Sequence, residues 1–214
     1  MAKNQDAPIK DYIAEHTDAL SPLLKALLKE TEALTGRSRW SIGQVEGRLM
    51  QILIKASKTR HAVEIGTFTG FSALMIAEAL PADGQLVTCE ANSTYAQIAD
   101  RYFAQSPHGH KIRLEVKPAI ETLQEFSDNS VDFVFIDADK PSYGIYFDEA
   151  LRILNSGGLI FVDNVFWRHK IFKQPISNEN AKAIAAFNQK VKNTDQVEKV
   201  MLSVRDGIYL IRKK

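Results

Sequence analysis

The sequence predicts an α/β protein of the doubly wound kind, a mostly parallel, seven-stranded Rossmann-like sheet with an antiparallel last strand and an N-terminal helical cap. Three observations lead there. From about residue 61 onward, short apolar runs alternate with longer stretches of helical periodicity. Several of those runs end in Gly, Asp, Glu or Asn, as buried parallel strands do at the edge where ligands gather. The last two runs stand too close together for a crossover, so they can join only as a hairpin.

The elements follow in order. From Asp11 to about Leu34 the pattern is helical, with Leu20, Leu23, Leu24, Leu27 and Leu28 at spacings of three and four. A Gly-bearing break, TGRSRWSIG, leads to a second helical stretch from Gln44 to Ala56. Residues 1–40 thus read as a cap on the core, 41–214, of one domain. Strand-like runs occur at Ala62–Ile65, Gln85–Glu90, Ile112–Val116, Val131–Ile136, Leu159–Val162, Val197–Leu202 and Gly207–Ile211. Helical stretches between the first six lie near Ser72–Leu80, Tyr95–Gln105, Ile120–Phe126, Tyr143–Leu154 and Asn180–Lys192. Only about four residues, including Asp206 and Gly207, separate the last two strands.

Composition narrows the function. A chain of 214 residues, 45% hydrophobic, builds one core comfortably. A formal net charge of +1 provides no field for a polyanion, so a small substrate is expected rather than nucleic acid. The single Cys89, in the apolar run QLVTC, has no intramolecular partner and points to a reducing compartment. The N-terminus lacks the apolar stretch of a signal peptide, and no run approaches the roughly 20 apolar residues of a membrane span. A cytoplasmic protein is expected.

The chemistry concentrates between Val131 and Asn164, where VDFVFIDADK and GGLIFVDN each end in carboxylate or carboxamide side chains. At the carboxyl ends of parallel strands, Asp137, Asp163 and Asn164 would converge on one edge. Three hard oxygen donors without Cys or His suit Mg²⁺, Mn²⁺ or Ca²⁺ better than zinc. Lys140 lies close enough to act on whatever such an ion holds. The turn VEIGTFTGFS carries Gly66 and Gly70 but not a full dinucleotide fingerprint. Glu90, 24 residues after Gly66, stands near the spacing at which an acid bonds ribose hydroxyls. Glu64 puts a carboxylate in that turn, which suits a zwitterionic or cationic ligand such as S-adenosylmethionine better than the pyrophosphate of NAD.

Together EIGTFTGFS, CEAN, IDADK and DNVFW resemble the metal-dependent class I O-methyltransferases, the caffeoyl-CoA and catechol O-methyltransferase group, from about Trp40 to the end. The resemblance implies that Glu64, Gly66, Thr67 and Ser72 hold the methionine part of S-adenosylmethionine. By the same resemblance Glu90 binds the ribose, Ala119 lies beside the adenine and Asp139 faces the cofactor's amino group. It also implies that Asp137, Asp163 and Asn164 ligate the metal and that Lys140 follows them as the family's lysine. Ile42 stands where many plant relatives have a Thr touching the cofactor, and Arg168 where they have a substrate-contacting Asn. The family favours a homodimer.

On this reading a divalent cation takes both oxygens of a catechol-like acceptor and stabilises a phenolate that is scarce at neutral pH. Lys140, next to Asp137, removes the proton if its neutral form is populated. Trp40, Tyr143, Trp167 and Arg168 are candidates for the acceptor pocket. His108 and His110 lie in a polar loop without a third ligand and carry no role. Two other readings stay open: the same machinery acting on a hydroxylated uridine base of tRNA, with Arg168, His169, Lys170 and Lys173 on phosphates, or a nucleotide- or NAD-binding protein without methyl transfer.

Overall fold

The computed structural model describes residues 7–214; the first six residues of the expected cap lie outside the described residues. The cap contains two helices, α1 (Ala7–Glu15) and α2 (Pro22–Thr35), where the leucine spacing suggested one. The cause is local. Pro22 has no amide hydrogen to give to a preceding turn, and the Ser21 hydroxyl caps the new helix by accepting from the Leu24 amide. Gly36, at φ 62°, ends α2 in the left-handed conformation that glycine adopts without strain. α3 (Gln44–Ala56) follows, its first turn closed by Glu46 accepting from the Gly43 amide at 2.9 Å.

Seven strands form one sheet: β1 (His61–Ile65), β2 (Gln85–Cys89), β3 (Ile112–Glu115), β4 (Val131–Ile136), β5 (Leu154–Asp163), β6 (Val197–Leu202) and β7 (Ile208–Lys213). Their order is β3-β2-β1-β4-β5-β7-β6. The first five run parallel, and β7 lies antiparallel between β5 and β6, as the short hairpin required. β5 begins at Leu154, ahead of its apolar run, because Asn155 to Gly158 carry it through a register shift opposite Val131 and Phe133.

Side chains alternate across the sheet and found two cores. Phe133, Phe135 and Phe161 point to one face, under α2, α3, α4 (Phe71–Ala79) and α5 (Ser93–Gln105). Val134, Ile136, Ile160 and Val162 point to the other, under α6 (Ala119–Gln124), α7 (Tyr143–Ile153) and α8 (Glu179–Lys192). α4 is buried on nearly every side, Glu78 being its one half-exposed residue, because it lies between the sheet and the cap helices. The buried Lys111 ammonium donates to the Ala77 and Leu80 carbonyls, 3.0 and 2.7 Å away, and closes the C-terminal end of α4. Among the described residues no helix is long and apolar enough to cross a membrane.

The cap is tied to the β1–α4 turn by a hydrogen bond between the Thr31 and Thr69 hydroxyls, 2.8 Å apart and fully buried. Thr31→Val keeps the shape and leaves the Thr69 hydroxyl without that partner. It should lower unfolding free energy by about 1–3 kcal/mol in urea titrations, and an unchanged midpoint would show that this bond contributes nothing net.

Candidate active site

The chain leaves β1 toward β2 on one side and resumes at β4 on the other, and a crevice opens at that reversal of strand order. Its floor is backbone. Gly66, at φ 103°, lies so near β4 that a Cβ there would sit 2.1 Å from the Asp137 carbonyl oxygen. The Asp137 amide donates to Ile65 O at 2.9 Å, and the Gly66 and Thr67 amides both donate to Cys89 O. Three strand ends are thereby locked into a cleft of about 1010 Å³. Ile42, Gly66, Thr67, Ser72, Glu90, Ala119, Asp137, Asp139, Lys140, Asp163 and Asn164 all border it, as do Trp40, Trp167 and Arg168.

Two expected residues stand elsewhere. Tyr143 is fully buried, edge-on to Phe187, with its hydroxyl accepting from Lys140 Nζ at 2.6 Å and donating to the Asp163 carbonyl at 3.2 Å. It orients Lys140 from behind and is not a wall of the cleft, because the first turn of α7 packs it against α8. Glu64 is likewise fully buried beneath the floor, accepting from the Thr88 hydroxyl, which in turn meets Thr67. Burial pushes its carboxyl up to about 8, against the pull of the Ser72 and Thr88 hydroxyls and with the help of Asp137 and Glu90. Burial therefore works against the negative charge expected at the turn.

At one end of the cleft Glu90 is held rigid, its two oxygens accepting from the Phe68 amide at 2.7 Å and the Asn92 amide at 2.8 Å. Burial nevertheless raises its pKa. Phe68, at φ 49°, packs between Trp40, tilted at 5.7 Å, and Tyr95, edge-on at 4.7 Å, and the Arg37 guanidinium lies 4.3 Å over the Trp40 ring. These rings line the cleft beside Glu90. Asp139 accepts from Tyr146 Oη at 2.7 Å and from the Ser142 hydroxyl.

At the other end stand the acids. Asp163 is 2% exposed; burial first, then Asp137 and Glu46, hold its carboxyl well above the usual range. Lys140, 7% exposed, donates to Asp137 Oδ1 at 2.9 Å and faces the Trp167 ring at 5.6 Å. Asn164 adopts φ 62°, a conformation asparagine tolerates, and turns the chain directly after Asp163. No group of three or more His, Cys, Asp or Glu is assembled among the described residues. A cation here would have two carboxylates and one carboxamide, with positions left over for other oxygens. Two carboxylates whose mutual repulsion raises the pKa of the buried one suit a hard divalent ion, which would relieve it.

Beyond Asn164, Trp167, Arg168 and His169 occupy left-handed conformations in succession, at φ 45°, 54° and 59°. For non-glycine residues each costs about 1–2 kcal/mol, so the turn needs external support. Arg205 and Asp206 of the β6–β7 hairpin, Phe68, Tyr95 and Tyr146 also border the cleft, and the sequence reading assigns them no role. Tyr146 had a signal, lying seven residues after Asp139 near a helix start. The hairpin pair had none, since its strands carry no hint of where the turn between them points.

Residues 14–214 match a family model described as O-methyltransferase, and that span contains the whole cleft. The chain belongs to the O-methyltransferase family. This O-methyltransferase is 36% identical over 211 residues to "Probable caffeoyl-CoA O-methyltransferase 1" of Dictyostelium discoideum, covering 96% of this chain and 91% of that one. It is 29% identical over 214 residues to catechol O-methyltransferase domain-containing protein 1 of Mus musculus, covering 98% and 81%. Its fold matches the O-methyltransferase TomG from Streptomyces achromogenes, solved in complex with SAM, with a TM-score of 0.90, 23% identity and coverage of 100% and 99%. The enzyme is thus an S-adenosylmethionine-dependent O-methyltransferase, and the reading without methyl transfer is set aside.

The buried acid makes a pH prediction. Because its folded pKa lies above the unfolded value of 4.5, Glu64 holds its proton longer in the folded state, so its contribution falls as pH rises from about 4.5 to about 8. The unliganded enzyme should lose up to about 1.4 kcal/mol per pH unit through this group across that window. Glu64→Gln should flatten the curve in urea unfolding at pH 5, 6.5 and 8, and parallel curves would mean that Glu64 does not titrate there.

Proposed function

We propose that this O-methyltransferase is divalent-cation-dependent and methylates one hydroxyl of a small catechol-like, vicinal dihydroxy phenolic acceptor. The observation that carries the reading is the meeting of Asp137, Asp163 and Asn164 with Lys140 at the end of the cleft opposite Glu90 and its aromatic wall. Asp137, Asp163 and Asn164 would hold Mg²⁺, or alternatively Mn²⁺ or Ca²⁺. When bound, such an ion supplies Lewis-acid stabilisation of the phenolate and orients two adjacent oxygens.

The remaining roles fall to this chain's own side chains. Glu90, fixed by two amides, takes the ribose hydroxyls of S-adenosylmethionine, and Trp40, Phe68 and Tyr95 cover its base. Asp139 receives the amino group of the methionine part. Gly66 and Thr67 bring that part over the ends of β1 and β4, toward Asp137. Lys140 Nζ, aimed by Asp137 and Tyr143, accepts the acceptor's proton in its neutral form. The methyl then moves in line from sulfonium to oxygen without a covalent enzyme intermediate, and positioning supplies roughly 7–11 kcal/mol of the acceleration. Trp167 lies where it would shield the aromatic ring, and Arg168 where it would meet a polar substituent.

Methyl transfer to caffeic acid should require Mg²⁺, stop with EDTA, and vanish in Asp163→Ala. Lys140→Met should lower kcat by about 10²–10⁴ with little change in KM. Turnover in excess EDTA would refute metal dependence. Cofactor binding with no turnover of any catechol would shift the acceptor to a hydroxylated tRNA base, held at its phosphates by Arg168, His169, Lys170 and Lys173.

A second copy of the chain is the proposed cover for the outer face of α1, where Ile9, Tyr12 and Ile13 are exposed beside one another on the helix. Light scattering should return a mass twice 24.0 kDa, falling toward the monomer in Tyr12→Glu; a monomeric native chain would reject the homodimer.

A further inference from the structure

We propose that Arg205 and Asp206, at the tip of the β6–β7 hairpin, are positioning residues that set the acceptor site by fixing the two loops that face each other across the cleft. The two side chains reach in different directions. Arg205 donates to the Ser41 carbonyl at 2.9 Å and to the Arg39 carbonyl at 3.0 Å, gripping the backbone on either side of Trp40. Its guanidinium also lies 3.8 Å from the buried Glu46 carboxylate, whose other oxygen accepts from the Gly43 amide. One arginine thus ties the loop of Trp40 and Ile42 to the start of α3.

Asp206 takes the opposite loop. Its Oδ1 accepts from the Arg168 amide at 2.6 Å, at the centre of the left-handed run Trp167–His169, and its carbonyl accepts from the Phe166 amide at 2.9 Å. The Gly207 carbonyl accepts from Val165 N, and a Cβ on Gly207 would lie 2.7 Å from the Phe166 ring, so the contact needs glycine there. The outer edge of the same turn is held by Asn178, which accepts from the Trp167 indole N–H at 2.8 Å while capping α8. A turn of three strained residues keeps its shape only where its surroundings over-determine it, and Asp206 supplies the bond at its middle. Arg205 and Asp206 are adjacent, so the separation of the Trp40 and Trp167 loops is set by one rigid hairpin paired to β5.

The inference rests on the acceptor-site reading above, and its test has a readout independent of turnover. Amide hydrogen exchange of the full chain with S-adenosylhomocysteine bound is compared for the native enzyme, Asp206→Ala, Asp206→Asn, Arg205→Met and Arg205→Lys. Asp206→Ala should speed exchange about tenfold in residues 165–172 and leave residues 37–43 unchanged, and Arg205→Met should do the converse. With catechol acceptors Asp206→Ala should raise acceptor KM about tenfold, with kcat and S-adenosylhomocysteine affinity within about twofold. Asp206→Asn keeps an accepting oxygen and should restore KM. Unchanged exchange in both loops, or a rise spread evenly over the chain, overturns the proposal. So does Asp206→Asn failing as badly as Asp206→Ala, which would make Asp206 a charge contact to the acceptor. Native enzyme that turns over no catechol would defeat the acceptor reading while the exchange pattern still decides the clamp.

Discussion

The approach of β1 to β4 at Gly66 is the constraint on which the rest of the site depends. A strand end that allows no Cβ within reach of the Asp137 carbonyl brings the two halves of the sheet together at their carboxyl edges. Each neighbouring feature then has its place. The Gly66 and Thr67 amides draw in the end of β2, which carries Glu90 within reach of the Phe68 amide. Asp137 is left at the lip of the cleft with Lys140 folded back onto it. Any side chain at position 66 would push these apart, and because its φ of 103° also disfavours L-residues, backbone conformation and packing select glycine together.

Electrostatics divides the cleft by depth. The acids lie at or below the floor, where burial pushes Glu64 and Asp163 toward their neutral forms. Arg37, Arg39, Arg168 and Arg205 stand at the rim, where water stabilises them at little cost. A sulfonium, and a divalent cation if the proposed one binds, would find in such a floor carboxyl groups that gain from ionising beside them. The site is thus strained toward its ligands, since the same burial that makes the acids costly in the free protein strengthens their attraction to a cation.

Much of this was legible in the sequence, for physical reasons. Strand ends announce themselves because a parallel strand buried on both faces must be apolar and its ligand-facing end must not be, so IFVDN and VFIDADK read directly. The hairpin order followed from loop length alone. What escaped reading depended on three-dimensional direction. Tyr143 is the first residue of α7 and could have faced either way; packing against Phe187 turned it inward. Glu64 occupies the strand position expected, yet its side chain alternates to the buried side with Thr88. The break between α1 and α2 was written in Ser21–Pro22, where the leucine periodicity on either side masked it. Arg205 and Asp206 belong to a turn whose aim is fixed only by the twist of the finished sheet.

α4 rises straight from the Gly66–Gly70 turn and hides nearly all its surface, half against the sheet and half against α2 and α3. α2 and α3 are therefore made on the ribosome before the helix they enclose. They must wait, apolar faces exposed, until residue 79 and then the strands have emerged. Birth order runs opposite to structural dependence at this point. Synthesis leaves α2 and α3 waiting for the partner they enclose, and it is there that a chaperone would find apolar surface to hold.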